Sequence, residues 1–85
     1  MPGTIYNFAE EAKRVEEVLR KQFPQDAIDT SEGYNGRVHV KVVSKYFNGK
    51  NEAQKQDILW EMLKSELGQG AQAVSLALAY GTDEL

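Results

Sequence analysis

The chain has 85 residues, a mass of 9.6 kDa and a formal net charge of -3, which is one small domain that buries about two-thirds of its surface at best. At 41% hydrophobic and 27% charged, with a mean hydropathy of -0.54, it has the composition of a folded globular chain, and no run approaches the roughly 18 to 20 apolar residues of a membrane helix. Zero cysteines exclude disulfides, thiolate catalysis, cysteine-ligated zinc and a self-held iron–sulfur cluster, and the single histidine, His39, excludes a histidine-rich metal site.

The first residues, Met1-Pro2-Gly3-Thr4-Ile5-Tyr6, lack a basic stretch followed by an apolar one. No secretory signal is therefore expected, and a reducing compartment such as the cytoplasm is. Residues 1–6 read as an N-terminal extension and 7–85 as a single domain. Asn7 with Glu10 three residues on has the pattern of a helix cap with its reciprocal glutamate. Phe8, Ala12, Val15 and Leu19 then recur on one helical face, and Pro24 ends the helix. Glu10–Arg14, Glu16–Arg20 and Glu17–Lys21 stand at i,i+4, which predicts a solvated, ion-paired face.

Ala27–Tyr34 is a polar edge-strand candidate, followed by the hairpin dipeptide Asn35-Gly36. Beyond it Val38, Val40 and Val42 alternate with Arg37, His39 and Lys41, so this strand buries valines and turns His39 to a basic outer face. Gly33-Tyr34-Asn35-Gly36 has the letters of a GxxG clamp, but its setting between two strands makes it a turn. Lys45–Lys50 reads as a turn anchored by Tyr46 and Phe47.

Asn51 with Gln54 predicts the cap of a second helix, running to Leu67 and closed by Gly68. Its expected core face is Gln56, Leu59, Trp60, Leu63 and Leu67. In the last element the large residues Val74, Leu76, Leu78 and Tyr80 alternate with the small residues Ala73, Ser75, Ala77 and Ala79. One face is large and the other small, as expected where a helix packs closely over a strand. The order is α-β-β-α-β, and a helical crossover makes the last two strands parallel. The fold class is α+β: a three-stranded mixed sheet with both helices on one face.

Charge is segregated along the chain. Residues 1–33 carry seven acids against four bases, 34–56 five bases against one acid, and 57–85 five acids against one base. The basic middle, Arg37, Lys41, Lys45, Lys50 and Lys55, is the candidate for an anion- or nucleic-acid-binding face, with Tyr46 as a stacking surface.

This element order, with Val42-Val43-Ser44 leading into Phe47-Asn48-Gly49-Lys50 and a closing Ala73-Val74-Ser75-Leu76 before Tyr80-Gly81-Thr82-Asp83-Glu84, resembles the BolA family over nearly the whole chain. The resemblance implies a fold like the type II KH module and a non-enzymatic regulator. It implies a monothiol glutaredoxin as partner, a [2Fe–2S] cluster shared with that partner rather than an intrinsic cofactor, and roles in iron and stress regulation or transcription. Lys50, Gln56 and Gln72 mark the surface where relatives meet the partner. The sequence departs from the pattern at Gln72, where relatives carry a histidine, and the loop Glu32–Gly36 offers neither cysteine nor histidine. Lys55-Gln56-Asp57 replaces an Arg-His-Arg run and is similar to the IbaG-like branch. A neutral amide is a poor iron ligand beside imidazole or thiolate, so the expectation is contact without ligation, no resident metal, and His39 as the remote substitute ligand. Two alternatives are a nucleic-acid-binding regulator using the basic segment, and an assembly subunit or homodimer using the sheet edge at Ala27–Tyr34.

Overall fold

The computed structural model describes residues 5–84. Helix α1 (Phe8–Gln22) starts where the Asn7 side chain accepts the Glu10 backbone N–H at 3.2 Å, which satisfies one of the free amides of the first turn. Ala12, Val15 and Leu19 are buried along one face, as the spacing predicts. The three i,i+4 pairs are not what the surface forms. Arg14 meets Glu11 at 3.4 Å, Glu16 accepts the Thr30 hydroxyl at 2.8 Å, and Lys21 reaches Glu66 of the second helix at 4.0 Å. Arg20 instead donates to the carbonyls of Phe23 and Asp26, at 3.1 and 2.7 Å, closing the helix end before the strand begins. Exposed ion pairs gain little, so a free carbonyl nearby is enough to redirect a guanidinium.

Strands β1 (Ala27–Glu32) and β2 (Val38–Val43) pair antiparallel, Thr30 opposite Val40. Asn35 and Gly36 both take left-handed backbone, φ 57° and 76°, and the Arg37 N–H closes the turn on the Tyr34 carbonyl at 3.1 Å. The GxxG letters are thus spent on a hairpin. Tyr6, within the stretch read as an N-terminal extension, packs on the hairpin: its N–H donates to the Asn35 carbonyl at 2.8 Å, and its ring centroid lies 5.5 Å from the Arg37 guanidinium.

After β2, the buried Ser44 donates to Asp26 at 3.0 Å and receives the Tyr46 N–H at 3.1 Å. This sets Phe47 into the core, its ring centroid 5.5 Å from that of Phe23. Helix α2 (Glu52–Leu67) opens with a complete capping box between Asn51 and Gln54, at 2.9 and 3.0 Å, and ends at Gly68 with φ 56°. Its buried line is Lys55, Leu59 and Leu63. Gln56, Trp60 and Leu67, expected in the core face, are half-buried beside that line.

A tight turn, Gly68–Ala73, leads into β3 (Val74–Tyr80), which pairs parallel with β2, so the sheet order is β1-β2-β3. A register shift occurs between Val38 opposite Val74 and His39 opposite Leu76, and Ser75 is the extra residue. The bulge reverses the phase of the strand. Val74 joins Ala77 and Ala79 in the core, whereas strict alternation predicted it beside Leu76. Both helices cover this face, where Val38, Val40 and Val42 meet Leu19, Leu59 and Leu63. The other face is uncovered and carries Leu76, 42% exposed, with His39, Lys41 and Leu78. No helix of the described residues is long and apolar enough to cross a membrane.

Candidate functional site

A groove of about 570 Å³ opens where the C-terminal end of α2 meets the start of β3. Its walls come from three parts of the chain: Trp60 and Lys64 from α2, Gln69 and Gln72 from the turn after it, and Arg37 from the residue leading into β2. Trp60 and Lys64 are one helical turn apart and so share a face. The indole is fixed in direction, because its Nε1–H donates to the Gln56 side-chain oxygen at 3.1 Å while the Gln56 amide donates to the Ala77 carbonyl at 2.8 Å. Arg37 is steadied from behind by the Tyr6 ring. Two cations, an indole and two primary amides line the groove, and no carboxylate does.

Of the residues expected to meet a partner, Gln72 is exposed at this groove. Gln56 lies behind it and spends both ends of its amide on Ala77 and Trp60. Lys50 is elsewhere, just before α2, where its ammonium donates to the Tyr46 carbonyl at 2.9 Å and lies 4.8 Å from the Tyr46 ring centroid. The 16 residues of α2 separate Lys50 from Gln72 by about 24 Å of helix. The three therefore do not form one patch.

The basic segment is dispersed in the same way. Arg37 belongs to the groove, Lys41 to the uncovered sheet face near the Tyr80 ring, and Lys45 to the turn beyond β2. Lys55 is not on a surface at all. Its side chain is 2% exposed and its ammonium lies 2.6 Å from Glu84 and 2.8 Å from Glu52. Spacing along a sequence cannot foresee this, because the carboxylate that draws Lys55 inward is 29 residues away. The Glu52 hydrogen bond, followed by that of Glu84, holds the Lys55 pKa above its ordinary value. Glu84 is held below the usual carboxylate range by Lys55 and, secondarily, by the Gly81 N–H it accepts at 2.8 Å. Around them the turn Thr82–Glu84 is clamped to Asn48 and Gly49, with Asn48 donating to Thr82 at 3.0 Å and Gly49 N–H to Asp83 at 3.1 Å.

His39 is half-buried on the uncovered face, packed under Gly33 and beside Ser75, and opens onto a different depression from Gln72. Among the described residues no group of three or more histidine, cysteine, aspartate or glutamate side chains is placed to hold a metal ion. The groove's own donors, glutamine amides beside two cations, do not fit ligation of an iron–sulfur cluster. Lys64 and Gln69 were missed by the sequence reading. The signal for Lys64 was present in its i,i+4 relation to Trp60, whereas Gln69 becomes visible only through the turn that folds it back. Comparison of the chain with protein-family models, curated proteins and solved structures finds no match.

Proposed function

We propose that this chain is a non-enzymatic adaptor of the BolA type that binds a monothiol glutaredoxin in iron–sulfur cluster or iron and stress regulation. It contacts the partner beside its [2Fe–2S] cluster without ligating the metal. The observation that carries the reading is the exposed Gln72 at the head of β3, in an α-β-β-α-β chain whose last two strands are parallel. That is the position at which the resemblance expects the partner. An amide there offers a hydrogen bond, not a strong iron ligand. The dispersal of Arg37, Lys41, Lys45 and Lys50, with Lys55 buried, gives the nucleic-acid alternative no comparable support.

The test is a titration with a cluster-loaded monothiol glutaredoxin, followed by size exclusion and visible circular dichroism. Co-elution with an unchanged cluster spectrum is the expected result. A changed spectrum overturns contact without ligation and makes His39→Ala the next variant. Absence of a complex at micromolar concentrations overturns the glutaredoxin reading altogether.

A further inference from the structure

We propose that the groove formed by Arg37, Trp60, Lys64, Gln69 and Gln72 is a binding site for a small ligand of the nucleoside monophosphate class, a planar heterocycle carrying a phosphate monoester. The inference does not depend on the glutaredoxin reading.

Charge comes first. The whole chain carries -3, yet the groove is lined by two cations and no acid, so it concentrates positive potential on an otherwise acidic molecule. The two cations come from different elements, Arg37 from the residue leading into β2 and Lys64 from the last turns of α2. A phosphate monoester carries close to two negative charges at neutral pH, its second pKa being about 6, and so matches the pair. Arg37 supplies a planar fork suited to two phosphate oxygens and Lys64 a point charge. A long polyanion is a poorer match, since the acidic segments 1–33 and 57–85 make up most of the chain.

The remaining groups select what is attached to the phosphate. Trp60 offers an aromatic surface for a flat ring, and base–aromatic stacking is worth about 1–3 kcal/mol in single-strand binders. Its indole cannot swing away without breaking the hydrogen bond to Gln56. Gln69 and Gln72 are exposed on the same turn, and each brings one acceptor and two N–H donors, the complement of a heterocycle's edge. The groove's volume of about 570 Å³ lies within the roughly 300–1,000 Å³ range of small-molecule sites. Two of its walls, Trp60 and Arg37, are held by a hydrogen bond and a cation–π contact within the chain.

Trp60 is the single tryptophan, so fluorescence excited selectively at the indole, away from the four tyrosines, reports on this groove. Adenosine 5′-monophosphate is titrated with inner-filter correction against free tryptophan, with amide shifts of Gln69 to Val74 followed in parallel. Adenosine and ribose 5-phosphate are the two half-ligands. The expected result is saturable binding with Kd at or below about 1 mM, at least about tenfold weaker for each half-ligand and weakened by added salt. Lys64→Gln, at an exposed position, is expected to raise Kd with the thermal midpoint retained, and Arg37→Gln/Lys64→Gln to raise it further, by about tenfold, at a temperature where the amide spectrum shows the double variant folded. Several results overturn the proposal: no saturable change up to about 10 mM, equal binding of either half-ligand, or unchanged binding in the double variant. A single-stranded oligonucleotide that binds far more tightly than the monomer overturns it in favour of a nucleic-acid channel.

Discussion

Lys55 is the buried charge among the described residues, and its ammonium is kept ionised by carboxylates on both sides. A charge removed from water needs such partners, or it neutralises. The contribution of Glu84 follows from its depressed pKa. It is fully present above the ordinary carboxylate value of about 4.3 and is lost as the pH falls through the lower, folded value. That of Lys55 runs the other way, present below about 10.4 and lost as the pH rises through its raised value. An NMR titration of Glu84 with the Gly81 amide as second reporter is expected to show the low midpoint. Lys55→Met is expected to raise it toward the ordinary range, the Gly81 N–H still holding it somewhat low, while the fold survives, because Glu84 and Glu52 remain 35% and 70% exposed and can be solvated. A midpoint that does not move in the variant contradicts the clamp.

At the scale of elements, α2 decides which side of the sheet becomes core. Leu59 and Leu63 are fully buried against the alanines of β3, while Leu76 on the same strand faces outward. Leu59→Ala is expected to cost about 2–5 kcal/mol in a chemical denaturation curve, because the cavity it leaves cannot collapse between helix and sheet. Leu76→Ala is expected to change stability by about 0.5 kcal/mol or less. Equal losses at the two positions would mean that the uncovered face is covered in solution. The capping box is legible in Asn51 and Gln54 because it is local, a matter of two side chains three residues apart. That Lys55 rather than Gln56 and Trp60 joins Leu59 and Leu63 on the buried line is not local. It depends on Glu84, and on how closely Ala77 and Ala79 let the helix approach.

At the scale of the molecule, distant segments are tied at both ends. Residues before α1 strap onto the hairpin through Tyr6 and Asn35, and the turn after β3 locks onto Asn48 and Gly49. Gly36 is where the first strap has no tolerance: a Cβ there would collide with the Tyr6 carbonyl, and φ is 76°. Gly36→Ala is expected to cost about 1–2 kcal/mol from the left-handed backbone alone. It is also expected to expose the Tyr6 amide to hydrogen exchange, and retained protection of that amide would show that the strap does not depend on the turn.

The order α-β-β-α-β, the two caps, the hairpin dipeptide and the valine face were determined by the sequence itself. Each rests on periodicity or on contacts within four residues, and the antiparallel–parallel pairing follows from connection length alone. Tertiary structure alone decided the bulge at Ser75 that turns Val74 inward, the burial of Lys55, and the separation of Lys50 from Gln72. It also gathered Arg37, Trp60, Lys64, Gln69 and Gln72 into one groove. These groups lie up to 35 residues apart in the chain, and a parallel crossover is what brings them together. Composition had marked the basic residues as one segment. Packing distributed them among a groove, a sheet face, a turn and the interior: Arg37 and Lys41 lie by the Tyr6 and Tyr80 rings, Lys50 by the Tyr46 carbonyl and Lys55 between Glu52 and Glu84, partners that spacing among the basic residues does not name.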